Sequence, residues 1–262
     1  MSSRIVARGV SKRFTLPRLP RRTTLKDQIT SGAYFTFDRS RRIVQALTRV
    51  SFDVAPGQML GVIGRNGSGK TTLLRLLAGI YAPDEGEIVL QGKITPLLAL
   101  GAGFHPDLTG RENARIELLV LGVERRRLER YVDEIIAFSE LSDFIDVPMR
   151  MYSAGMATRL GFATATCLDL DVLLVDEALA VGDESFAAKC HARIDEYRAR
   201  GKTIVFVSHG AETVAKRCDV ALWLEEGRMA AYGAPADVVR VYGDYLKAKA
   251  VNPSLAALAS GS

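Results

Sequence analysis

Gly64-Arg65-Asn66-Gly67-Ser68-Gly69-Lys70-Thr71 fits the pattern G-x-x-x-x-G-K-[ST] at every position. Glycine lets the backbone curl until successive N–H groups point into one anion-sized hollow. A helix beginning there adds the positive end of its dipole. In such a loop Lys70 reaches the β- and γ-phosphates and the Thr71 hydroxyl binds Mg²⁺. Gly64, Asn66, Gly67, Ser68, Gly69 and Thr72 complete the expected nucleotide-binding set. Far downstream, the apolar run VLLV (172–175) delivers Asp176 to the end of a buried strand, where it holds Mg²⁺. Glu177 follows, placed to orient or deprotonate an attacking water. His209 ends a further apolar run, TIVFVSH, at the edge where ligands gather in open α/β sheets, and is expected to contact the γ-phosphate. The chemistry these residues point to is binding and hydrolysis of ATP or GTP.

The elements that must position them follow the same pattern. SRIVARGV (3–10) predicts a short strand, and VSFDV (50–54) alternates as a strand does. MLGVI (59–63) predicts a buried strand entering the glycine-rich loop. TTLLRLLAGI (71–80) predicts the helix leaving it, with Leu73, Leu74, Leu76, Leu77 and Ile80 at helical spacing. Residues 112–168 have a mostly helical pattern, including the charged segment 124–134. Strands and helices alternate again from DVLLVDE through TIVFVS, AETVAKRC and VALWLEEG. The pattern is an α/β core interrupted by a helical insert.

Composition bounds the rest. A chain of 262 residues, 48% hydrophobic and 25% charged, fits a folded soluble domain. No apolar run reaches the ~18 residues that span a bilayer, and the start MSSRIVARGVSKRF lacks the apolar stretch of a secretory signal. Cys167, Cys190 and Cys218 lie far apart with no CxxC, which reads as reduced packing cysteines. The net charge of +5 conceals an asymmetry. Residues 1–50 carry 12 Lys and Arg against Asp27 and Asp38, a balance of +10, whereas the remainder carries 23 basic and 28 acidic residues, a balance of −5. The basic arm centres on an irregular segment, 15–42, in which TLKDQI (24–29) has room for a helical turn or two. It reads either as a solvated arm or as a surface for anionic lipid. Residues 248–262 read as a flexible tail.

Tyr152-Ser153-Ala154-Gly155-Met156 opens a helical run. Alone it is a capped helix start, with Ser153 and nearby N–H groups making a second anion site. Together with the motifs above, however, it resembles the signature motif of ATP-binding cassette (ABC) ATPases, ordinarily Leu-Ser-Gly-Gly-Gln, with Arg159 at the usual following arginine. Ala180-Val181-Gly182-Asp183 resembles that family's D-loop, and Phe14 its adenine-stacking aromatic residue. The resemblance covers about residues 4–245. YSAGM, DEALAVGDESF and LLALGAGFHPDLTGREN are most similar to the ATPases of polysaccharide exporters, which move O-antigen, capsule or teichoic acid. Two departures stand out. Tyr, Ala and Met replace the usual Leu, Gly and Gln of the signature. The family's Q-loop glutamine, expected near Ala99 or Leu100, is absent, since Gln91 comes too early.

The resemblance implies a P-loop NTPase (RecA-like) core over 1–95 and 165–247, with a helical subdomain over 96–164. It implies two copies packed head to tail, so that ATP and Mg²⁺ lie between Gly64–Thr71 of one copy and Ser153, Ala154, Gly155 and Met156 of the other, with Asp183 near the join. It further implies an integral-membrane permease as partner, acting on a lipid-linked polysaccharide from the cytoplasmic face of the bacterial inner membrane. The segment 98–114 becomes a coupling surface towards the permease, and the 15–42 insertion a membrane-facing arm. Some members carry a C-terminal β-sandwich that binds the glycan, and none is expected within these 262 residues. Export of another lipid or drug stays open. So does an ATP-gated clamp on nucleic acid, although the chain shows neither fused cassettes nor a long coiled-coil arm.

Overall fold

A computed structural model of the chain describes residues 4–17, 41–97, 101, 103–176, 184–208 and 210–251. Its centre is a sheet of β5 (Ile94–Leu97), β6 (Val172–Val175), β7 (Thr203–Val207), β3 (Met59–Ile63), β8 (Val220–Glu225) and β9 (Arg228–Gly233), in that spatial order. All neighbours are parallel except β9, which turns back antiparallel on β8. The inner parallel strands read as unbroken apolar runs because both faces are covered, whereas the edge strand β5 (ITPL) does not. Alternate residues divide between two cores. Leu60, Val62, Leu174, Val205 and Leu222 face one, and Met59, Leu173, Ile204, Phe206 and Trp223 face the other.

The first core is closed by an antiparallel sheet with the order β2 (Arg41–Val54), β1 (Ile5–Pro17), β4 (Glu85–Leu90), together with α1 (Lys70–Leu77). The second is closed by α5 (Glu184–Ala199), α6 (Ala211–Arg217) and α7 (Pro235–Val251), joined by Phe162 and Ala165. A third, smaller core lies among α2 (Gly110–Val120), α3 (Leu128–Ser139) and α4 (Ala154–Thr166), packed on Ala114, Leu118, Val132, Ile135 and Leu160. The α/β core with a helical insert therefore matches the reading of the sequence. Among the described residues, no helix is long and apolar enough to cross a membrane.

Several boundaries differ from that reading. α7 runs to Val251, so 248–251 belong to a helix and not to a flexible tail, and α1 ends at Leu77, leaving Ile80 exposed. The first two strands are far longer than SRIVARGV and VSFDV, since β1 runs to Pro17 and β2 begins at Arg41. Their pairing extends from Ile5↔Val54 to Pro17↔Arg41 through several register shifts. Cross-strand pairing thus carries regular structure into the polar ends of the basic segment, and TLKDQI lies outside the described residues. The stretch 140–153 is not helical. It runs as a strap of turns over 142–147 followed by a 3-10 turn at Met149–Met151, and its backbone hydrogen bonds divide between those local turns and the segment that leads into α2.

Candidate functional site

The loop after β3 owes its shape to three glycines at positive φ: Gly64 (+149°), Gly67 (+80°) and Gly69 (+106°). At Gly64 a Cβ would lie 2.1 Å from the Leu224 carbonyl oxygen, and at Gly69 it would lie 2.7 Å from that of Ala46. Only glycine fits either place. The neighbours are not incidental, because the Gly227 N–H donates to the Ser68 carbonyl (3.0 Å) and the Thr48 N–H to the Gly227 carbonyl (2.8 Å). The β8–β9 turn and the middle of β2 therefore hold the loop from outside.

Within the loop, Lys70 is 6% exposed, and its ammonium donates to the carbonyls of Gly64 (2.6 Å) and Arg65 (2.9 Å). α1 starts at Lys70 with Gly69 as a left-handed N-cap and no side-chain cap. The first-turn N–H groups are thus left for another acceptor. Ser68 is buried, and its hydroxyl has no hydrogen-bond partner. A buried orphan hydroxyl beside an uncapped helix start and a buried ammonium is a donor set that fits phosphate oxygens. Thr71 and Asn66 are exposed on this surface, and Thr72 is half-buried.

Asp176 leaves β6 half-buried. In the sheet, Leu174, Val205 and Leu60 share one level, and Val175, Phe206 and Gly61 the next. Asp176 therefore emerges at the same carboxyl edge as the glycine-rich loop, separated from it by β7. At the end of β7, Ser208 is buried, donates its N–H to the Val62 carbonyl (3.1 Å) and accepts from the Gly210 N–H (3.0 Å). It stitches this edge between the two strands that bear the site. Glu177, Asp183 and His209 lie outside the described residues, as do Ala99 and Leu100.

Phe14 stands on β1 opposite Val44, half-buried, edge-on to Tyr81 with ring centroids 5.3 Å apart. Lys12 lies 5.8 Å from the Phe14 ring and pairs with Asp84 at 3.1 Å. The Arg13 backbone N–H, and after it Lys12, hold the Asp84 carboxyl below its ordinary range. Tyr81 and Lys12 are neighbours of the candidate base site that the sequence did not single out. No local motif marks them, because they meet Phe14 only through sheet pairing.

The second helix start is built differently. Ser153 caps α4 with its own side chain, its Oγ accepting from the Met156 N–H at 3.1 Å. Ser153 and Ala154 are exposed, and Gly155 and Met156 half-buried. Arg159 stacks 4.8 Å from the Phe186 ring and pairs with Glu140 at 3.3 Å, a carboxylate that Lys189 also meets at 2.7 Å. Those contacts tie α4 to α5 in the main core. The three cysteines behave as packing residues, since burial pushes each thiol up to about 12.

Residues 47–180 match the ABC transporter family. The chain belongs to that family. The match takes in the loop at 64–71 and the helix start at 153. Over 204 residues the chain is 48% identical to the O-antigen export system ATP-binding protein RfbB of Myxococcus xanthus, covering 78% of this chain and 47% of that one. Over 197 residues it is 44% identical to the RfbB protein of Klebsiella pneumoniae, covering 75% of this chain and 80% of the other. The chain thus spans about half the length of the first relative and most of the second. The solved ATP-binding subunit of an ABC transporter superposes with a TM-score of 0.72 at 21% identity, over 95% of this chain and 99% of that structure. The ABC ATPase fold read from the motifs is therefore the fold of this chain.

Proposed function

We propose that this chain is the ATP-hydrolysing subunit of an ABC transporter that exports a lipid-linked polysaccharide such as an O-antigen. The observation that carries the reading is the 44% identity to an O-antigen export ATP-binding protein across 80% of that protein's length. The phosphate-shaped loop and the separate signature helix start support it. One chain supplies one of each, so a head-to-tail pair of copies completes two sites. ATP lies on Gly64–Thr71 of one copy, its base against Phe14, and its γ-phosphate meets Ser153, Gly155 and Met156 of the other.

In that site Lys70 and the loop N–H groups hold the β- and γ-phosphates in place. Thr71 and Asp176 would hold Mg²⁺, which supplies charge neutralisation at the phosphates. Glu177 takes a proton from water as its oxygen forms the new bond to the γ-phosphorus. The bond to the β-phosphate oxygen breaks, leaving ADP and phosphate. His209 contacts the γ-phosphate, and Asp183 lies at the join between copies. Binding closes the pair, hydrolysis releases it, and an integral-membrane permease converts the cycle into transport. The ATPase works from the cytoplasmic face of the bacterial inner membrane. There the basic arm meets anionic lipid, with exposed Leu16 and Ile43 beside Arg13 and Arg42 at its root.

The test replaces the native gene with Glu177→Gln and compares surface glycan with glycan retained inside on lipid. The expected result is loss outside and accumulation inside. Unchanged surface glycan, with the variant expressed and unable to hydrolyse ATP, contradicts the reading.

A further inference from the structure

The strap of turns before the signature serine is fastened to the segment that starts α2. Met149 and Arg150 donate their backbone N–H groups to the carbonyls of Leu108 (2.9 Å) and Pro106 (2.8 Å), and Arg111 donates its own to the Ile145 carbonyl (3.0 Å). The Arg111 guanidinium grips both oxygens of Asp146 at 2.7 and 3.1 Å, and Arg150 meets Asp107 at 2.6 Å. Behind this seam Asn113, 3% exposed, donates its amide to the carbonyls of His105, Leu108 and Thr109 and accepts from the His105 N–H. Thr109 and Glu112 close a capping box at the start of α2.

Tyr152, one residue before Ser153, packs its ring end against the start of α2 while its hydroxyl bonds back within the strap. The Tyr152 hydroxyl donates to the Phe144 carbonyl at 2.7 Å. At Gly110, the first residue of α2, a Cβ would lie 2.3 Å from that hydroxyl oxygen and 3.1 Å from the Ile145 side chain. The bare glycine and the hydroxylated ring are therefore fitted to one another. Leucine, the residue usual at this place in ABC ATPases, has no hydroxyl to make the bond. Ser153 is the next residue along the chain.

We infer that Tyr152 is a positioning residue whose hydroxyl, seated on Gly110, fixes Ser153 to the start of α2, so that α2 and the signature serine move as one body. The inference rests on the proposed reading that Ser153 docks on nucleotide held by a second copy. Tight packing makes such a body transmit displacement rather than absorb it. A partner that shifts α2 shifts Ser153, and docking of Ser153 on nucleotide pulls α2.

The experiment uses the full chain as Glu177→Gln, which should pair when ATP is added, and measures the ATP concentration at half-maximal pairing by light scattering. Adding Tyr152→Phe removes a single hydrogen bond and is expected to raise that concentration about tenfold. The affinity for ADP, which drives no pairing, should stay unchanged. Gly110→Ala should give the same defect by displacing the hydroxyl, and the two changes together should cost no more than the larger one. Half-maximal pairing at the parental ATP concentration in Tyr152→Phe overturns the inference alone. A loss of ADP affinity parallel to the loss of pairing also overturns it, since that marks general damage. Failure of Glu177→Gln itself to pair overturns the head-to-tail reading, and this inference with it.

Discussion

Two helices of this molecule begin at anion-friendly N-termini, and they are finished in opposite ways. α1 starts from a left-handed glycine with no side-chain cap, a buried ammonium beside it and an orphan serine hydroxyl below. α4 starts from a serine that already caps its own first turn. The first start is shaped to take phosphate unaided, while the second is internally satisfied and has its place set by a seam of contacts. On the function proposed above, nucleotide binding is local to the first start, and the use made of the nucleotide depends on how the second is held.

The sharpest way to break this comparison is Lys70→Ala. Losing a charge-assisted contact to phosphate should lower nucleotide affinity about a hundredfold and abolish turnover. Fluorescent-nucleotide titration checks it, and near-normal affinity would show that the loop is not the self-sufficient site. Next comes Gly64→Ala. The added methyl meets the Leu224 oxygen at 2.1 Å with φ at +149°, which should cost about 2–3 kcal/mol and lower Tm by about 8 °C. Gly67→Ala has open space around the methyl and should cost less. Equal losses from the two would deny that β8 braces the loop.

A smaller effect sharpens the other side. Burial pushes the Glu117 carboxyl on α2 up to about 6 from an ordinary 4.5. Below about pH 4.5 the group is protonated whether the chain is folded or not, so Glu and Gln should be equivalent there. As pH rises through 6 the folded chain alone is penalised for the charge. Glu117→Gln should therefore be the more stable protein at pH 8 by about 2 kcal/mol. Urea unfolding at the two pH values measures this, and a gain that does not grow with pH contradicts it. Smallest of all, Ser153→Ala removes the α4 cap and should cost about 1 kcal/mol of stability, read as a Tm shift, while lowering turnover at saturating ATP.

The phosphate loop was legible because everything that shapes it chemically lies within eight consecutive residues entered by an apolar strand. Its external supports were not. Ala46, Leu224 and Gly227 reach it only once β2 and the β8–β9 turn are in place, and nothing in their local sequence announces it. Four of the parallel strands, β3, β6, β7 and β8, could be read from their unbroken apolar runs, but not β5, whose ITPL holds Thr95 and Pro96. β4 and β9 could not, since EGEIVL and RMAAYG are short, polar or small and paired on few buried residues. The strap 140–153 lies inside a tract of helical pattern, yet it folds into local turns and bonds to a segment that lies earlier in the chain. The one local sign of that seam was Tyr152 itself, standing where its family usually has leucine.

If each working site is shared between two copies, as proposed, mixing two inactive variants should restore one. Lys70→Ala keeps an intact signature start, and Ser153→Glu keeps an intact phosphate loop, so each alone should hydrolyse no ATP. A head-to-tail pair formed from one of each contains one site with both halves sound. Turnover should then rise on mixing, saturate at equal amounts and fall again with either variant in excess. A mixture that stays at the sum of its inactive parts would contradict the shared site.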